Sequence, residues 1–572
     1  MKASLRARGF GLLETVIGVA LVALMFLALF GLMYATILIS TLAKAKAAAT
    51  ALADVQMEYA RGLDYDSVGT VGGIPSGVIP QTFESTLNGI VYTTDTFVSY
   101  IDDPADGTDT NDQNGITTDY KRVRVEVSYT AKNSQHSVVE VTTIAPPGIE
   151  TTTGGGTLQI NVVDAVGVAV VGATVTVVNT GAIPTVNLSA SSNVAGTVFL
   201  PGAPVATGYQ ITVAKTGYST SQTYDQASPN INPNPGHLTV AESQTTAGTF
   251  AIDLLSTLTL TTYSPLSSAS FSDSFVDGTQ LASMNSVDIS SGALALTATD
   301  GVYASSGSAR STPIAPEYLA RWDTLSAGLT TPALTSAKLS VYDANEVLIP
   351  DEVLPGNSTG FDSFPVGLEA LPIATYSTLT IGATLSTSDT LVTPSISSWS
   401  ISYDAGPIPL PDAPFILTGS KTVGSAGAGT PIYKTVVNDT TDGSGAATNI
   451  LEWDAYQLSF TEHDLVDACP APPYALSPGA SVNSAIVLSA STANALTVFV
   501  YDVNSVPVED ATVELTRVGY SNTKTSSACG GAYFGNISAN TYTVTISKAG
   551  YTTTIFNAVV VAGPTLYSGS FP

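Results

Sequence analysis

Apolar positions recur along this chain first at intervals of three to four residues and then at intervals of two. From Thr15 to Ala43 no residue is charged and most are aliphatic. That run exceeds both the about 7–15 residues of a secretory-signal core and the about 20 that span a bilayer as a helix. Helical spacing continues through Leu42, Ala45, Ala49, Leu52, Val55 and Tyr59 without a proline. Arg61-Gly62 then supplies a basic last turn and a glycine stop. The pattern predicts one helix from Phe10 to Arg61 within an assembly segment 10–62, about 78 Å long at 1.5 Å per residue. Its first half suits lipid, and its second half needs a packing partner in water. Lys2, Arg6 and Arg8 precede the apolar run. Such a flank stays in the cytoplasm, so the chain is expected to cross the membrane once, with everything after Lys44 exported.

Alternation takes over within residues 63–150. Ile90–Ser99 follows the turn pair Asn88-Gly89. Tyr120–Thr130 sets Val123, Val125, Val127 and Tyr129 against Arg122, Arg124, Glu126 and Ser128, and Ser137–Ile144 forms a third run. A small antiparallel sheet is predicted here. Pro146-Pro147-Gly148 and the threonine–glycine stretch to Gly156 read as a linker. Beyond it the sequence repeats itself. Asp164 to Ala173-Thr-Val-Thr-Val177 is matched by Asp502 to Ala511-Thr-Val-Glu-Leu515, and Tyr209 to Lys215-Thr-Gly-Tyr218 by Tyr542 to Lys548-Ala-Gly-Tyr551. Short alternating strands between glycine and asparagine turns predict β-sandwiches at 151–255 and 491–572. A divergent third copy, 406–490, is carried by Thr440 to Gly445 and by Trp453-Asp-Ala-Tyr456. Residues 256–405 lack the repeat, and their strand runs every ten residues or so predict a larger jelly-roll-like sandwich. The fold class expected is a mainly β multidomain protein with a long N-terminal α-helix.

Two resemblances add to this reading. The basic leader, Gly9-Phe10, Glu14 and the long apolar helix together resemble a type IV prepilin or pseudopilin N-terminus over residues 1–62, although Gly11 stands where many pilins have threonine. The resemblance implies a leader at 1–9, cleaved between Gly9 and Phe10 by prepilin peptidase, with N-methylation of Phe10. It also implies that Glu14 pairs with the N-terminal amine of a neighbouring subunit during assembly; amine and carboxylate would each relieve the other's desolvation in an apolar helix bundle. The Tyr-to-Lys-x-Gly-Tyr endings and the strands at Ala173 and Ala511 resemble carboxypeptidase regulatory-like, that is transthyretin-like, sandwiches, which say little about activity.

Composition narrows the chemistry. Lys and Arg number 19 against 46 Asp and Glu, a net charge of −27, which repels phosphate backbones and excludes nucleic acid as a partner. The three histidines, His136, His237 and His463, share no metal spacing, and neither a nucleophile elbow nor a phosphate loop occurs. No enzyme activity and no required cofactor are expected. The loop from Ile101 to Asp119 is rich in aspartate, asparagine and glycine, and Asp103, Asp106, Asp109 and Asp112 are candidate Ca²⁺ ligands; a solvated turn is the alternative. Trp322 and Trp399 are candidate platforms for a surface glycan, with burial in a sandwich core the alternative. The two cysteines, Cys469 and Cys529, are expected to bridge on the oxidising exported side.

The function expected is a large minor or tip subunit of a type IV pilus or type II secretion pseudopilus. It would display adhesive sandwiches on the cell exterior in a surface filament. The implied partners are the inner membrane, other pilin-like subunits, the prepilin peptidase/methyltransferase, and a surface glycan or host-cell ligand. The competing readings are a membrane-anchored adhesin that never polymerises and a carbohydrate-binding accessory protein.

Overall fold

The computed structural model describes residues 12–102, 118–147, 155–289 and 291–572. The protein is mainly β with one long N-terminal helix, α1 (Leu12–Arg61), followed by a succession of small sheets. Its contacts divide it into two compact units, Met1–Leu255 with Lys421–Lys434, and Ser256–Ser420 with Thr435–Pro572.

In the first unit, α1 ends as its sequence requires: the Gly62 amide reaches the Glu58 carbonyl at 3.0 Å. Four antiparallel strands follow in simple meander order, β1 (Thr82–Leu87), β2 (Ile90–Ile101), β3 (Tyr120–Ala131) and β4 (Ser134–Ile144). Two of the hairpins turn on two residues in the left-handed region. These are Asn88-Gly89 (φ 52° and 77°) and Lys132-Asn133 (φ 51° and 63°), the turn whose twist matches paired strands. Alternation in β3 turns Val123, Val125 and Val127 inward, where they share a core with Ala45, Ala49, Ala53, Met57 and Ala60 of α1. Small side chains one turn apart allow the helix backbone to lie close to the sheet. β1 escapes the sequence pattern because it is a mostly exposed edge strand.

The first sandwich packs one sheet, including Thr174–Asn179, Val186–Ser191 and Ala206–Ala214, over another made of Gly155–Val163, Thr197–Pro204 and Thr245–Ala251. Ile74 and Phe97, from the preceding module, extend its core. Residues 421–434 also belong to this unit: Thr422–Ser425 pairs with Asn232–Pro233, and Lys434 donates to the Thr220 carbonyl at 2.7 Å.

The second unit changes one expected boundary. Ser256–Tyr263, read as the start of the jelly-roll-like module, instead pairs antiparallel with Ala446–Leu451 and parallel with Ser481–Ala490. It is therefore the first strand of the sandwich expected at 406–490. The jelly-roll-like module is an insertion of one six-stranded sheet, one four-stranded sheet and a two-stranded ribbon, whose strands run from Ser267 to Ala405. The last sandwich occupies Ala495–Ser570.

All three smaller sandwiches close in the same way, their first strand lying parallel to their last: Gly155–Val163 with Thr245–Ala251, Ser256–Tyr263 with Ser481–Ala490, and Ala495–Tyr501 with Pro564–Ser570. Each also has a buried tyrosine whose hydroxyl donates to a carbonyl just upstream. These pairs are Tyr209 to Pro204 at 2.5 Å, Tyr456 to Glu452 at 3.0 Å and Tyr542 to Ser538 at 2.8 Å. This is the tyrosine-corner device of Greek-key sandwiches. Burial pushes the Tyr209 phenol up to about 12.

Candidate functional site

The N-terminal helix carries the strongest functional signal, and the structure divides it in two. From Val16 to Ile37 its large apolar side chains are exposed all round. The stretch from Val16 to Ala43 is about 42 Å long at 1.5 Å per residue, enough to cross a hydrocarbon core of about 30 Å. Among the described residues this is the one helix long and apolar enough to do so. Lys44 and Lys46 end the uncharged stretch, and burial against the sheet starts at Ala45.

Specific bonds fix the packed half. The Tyr92 hydroxyl donates to the Ala45 carbonyl at 3.3 Å, and Gln56 Nε2 to Thr96 Oγ1 at 3.3 Å. Arg61 donates to Glu58 Oε1 at 2.7 Å and to Thr142 Oγ1 at 3.0 Å. Glu140, on the same face of β4, has its carboxyl pushed up by burial and by Asp54 of the helix. The helix is thus held on its sheet by apolar contact and by these polar side chains, while among the described residues the large apolar side chains of its N-terminal half lie almost entirely exposed.

Glu14 lies within α1. Gly9 and Phe10 lie outside the described residues, as do Asp103, Asp106, Asp109 and Asp112. Among the described residues no group of three or more His, Cys, Asp or Glu side chains is arranged to hold a metal ion. Cys469 and Cys529 form a disulfide with their Cα atoms 5.4 Å apart. The glycan platform on tryptophan is corrected. Trp322 and Trp399 are 0% and 1% exposed; Trp322 Nε1 donates to the Tyr376 carbonyl at 2.7 Å, and Trp399 stacks edge-on with Phe275. Both rings belong to the apolar core of the inserted module, packed among leucine and isoleucine side chains.

One constellation was not visible in the sequence. His237 lies between Asp225 Oδ1 at 2.6 Å and Thr223 Oγ1 at 2.9 Å. The order acid–imidazole–hydroxyl is that of a nucleophilic triad. Yet Thr223 is 6% exposed and its oxygen already accepts the Ile211 amide at 3.0 Å, so no substrate reaches it and the group clamps a loop. Other aspartates are likewise spent on backbone. Asp164 accepts the Val166 and Val168 amides at 2.9 and 2.8 Å, and Asp502 accepts those of Asn504 and Val506, both at 2.8 Å.

No family model and no curated protein matches the chain. Solved structures do share features with it. The Bacillus anthracis TIE protein is 10% identical over 86% of this chain and 74% of its own, with a TM-score of 0.16. BcpA, the major pilin subunit of Bacillus cereus, is 10% identical over 73% of this chain and 99% of its own, TM-score 0.14. The shaft pilin SpaA from Lactobacillus rhamnosus GG is 14% identical over 29% of this chain and 86% of its own, TM-score 0.11. At such identities and scores these likenesses say nothing about what the chain does.

Proposed function

We propose that this protein is a large subunit of a type IV pilin-like filament, held in the inner membrane by α1 before assembly and carrying its sandwiches on the cell exterior. The observation that carries the reading is the two-part helix. Its packed half makes α1 a rigid extension of a folded domain, whereas its bare apolar half is stable only in lipid or against other helices. A bundle of such helices replaces lipid by protein without unfolding any subunit. On this reading the leader ends at Gly9, Phe10 becomes the methylated N-terminus, and Glu14 meets the terminal amine of a neighbour. The sandwiches are display and spacer modules, and their bulk suits a minor or tip position rather than a crowded shaft.

Glu14→Val tests the assembly role. Insertion into the membrane stays intact, because a carboxylate is removed from an apolar helix. Incorporation into filaments falls by at least about 100-fold, the cost of leaving one buried charge without its partner. Equal filament content in variant and wild type favours the second reading, an anchored surface protein that does not polymerise.

A further inference from the structure

Within the first unit a cavity of about 370 Å³ opens where the four-stranded sheet meets the first sandwich. Small-molecule sites are about 300–1,000 Å³. Its wall is mainly polar, and the residues that matter are Asp66 and Ser76 from the glycine-rich turn after α1, Tyr100 of β2 and Lys121 of β3. Lys121 is 2% exposed. Its ammonium donates to the Tyr65 carbonyl at 2.7 Å and lies 4.5 Å from the Tyr65 ring and 5.5 Å from that of Tyr100. Among the described residues, its close partners are one neutral carbonyl and two ring faces, a poor exchange for the hydration of an ammonium with three donors. The imbalance is visible in its proton affinity. Burial pulls Lys121 down to about 8, a larger effect than the upward pull of Asp66.

We infer that this cavity binds a small oxyanion, a carboxylate- or phosphate-bearing molecule about the size of a sugar acid, with its charged end against Lys121. A cation would add to a positive charge already short of partners, and a neutral ligand would leave it uncompensated. An oxyanion supplies the missing charge at the buried end, and Ser76 lies on the same wall to meet its polar remainder. Asp66, exposed, repels ligands whose negative charge extends outward, so the site selects molecules charged at one end. This inference is independent of filament assembly.

The test is titration calorimetry of the full chain in detergent with phosphate, galacturonate and, as the neutral control, galactose. Near neutral pH at least one of the two anions binds and galactose does not; which anion binds distinguishes a phosphate source from a sugar acid. Lys121→Met weakens binding at least about tenfold, and Lys121→Arg retains most of it. In the wild type, affinity falls as pH is raised past about 8 and Lys121 loses its proton. The ionisable groups facing it, among the described residues, are Asp66, Tyr65 and Tyr100. Absence of binding by both anions, equal affinity for galactose, or affinity unchanged by pH or by Lys121→Met would each overturn the inference.

Discussion

Lys121 and the two cysteines show how single side chains set measurable properties of this protein. The folded chain holds Lys121 at about 8, against 10.5 for the free side chain. Between those values the unfolded chain binds a proton that the folded one has released, so stability rises with pH across that window. Below it the full desolvation cost is present. Lys121→Met is therefore expected to stabilise the ligand-free protein at neutral pH and to abolish the rise, as followed by urea unfolding at several pH values. The Cys469–Cys529 bridge closes a loop of 60 residues within the second unit. In the chain-entropy account it stabilises by about 4 kcal/mol, and a Cys469→Ser/Cys529→Ser pair should lower the Tm accordingly in differential scanning calorimetry. The bridge was readable because the sequence holds only two cysteines. The buried state of Lys121 was not: it shares the inward parity of Val123, Val125 and Val127, but a lysine at a strand start ordinarily keeps its ammonium in water.

At the scale of elements, the alanine face of α1 is the working surface. Ala53 is fully buried against the sheet, so Ala53→Leu overpacks the interface and should cost about 1–3 kcal/mol. Ala47 is on the exposed face, and Ala47→Leu should leave the folded subunit's Tm unchanged; circular dichroism melts of both variants separate the two faces. The helix and strands β2 to β4 were legible because their periods, 3.6 and 2, extend over many residues. Three things were not. β1 is short and exposed. The tyrosine corners depend on a carbonyl four or five residues away whose orientation no residue type encodes. The strand Ser256–Tyr263 finds its parallel partner at Ser481–Ala490, across an entire inserted module, and nothing local in Ser-Thr-Leu-Thr-Leu marks that distance.

The whole molecule is a helix-bearing domain elaborated by one sandwich plan used three times, with a larger sandwich inserted into the second use. The repetition extends to individual bonds. In the first copy Ser192 Oγ accepts the Ala173 amide at 2.9 Å and donates to the Val170 carbonyl at 2.7 Å. In the last, Ser526 Oγ accepts from Ala511 at 2.8 Å and donates to Val508 at 2.7 Å. Lys215 and Lys548 both reach back to the turn just before Ala173 and Ala511, at the Val171 and Glu509 carbonyls. The repeated residues are thus spent on folding, which is why the repeat announces architecture and is silent on ligand. Function has to be read instead from α1, and the assembly account depends first on how its N-terminus is processed. Intact-mass and peptide mass spectrometry of the protein recovered from cells measures this directly. The account predicts a mature chain beginning at Phe10 with one added methyl group on its amine. A chain that retains Met1, or one cut within the alanine-rich stretch 43–53, would contradict it.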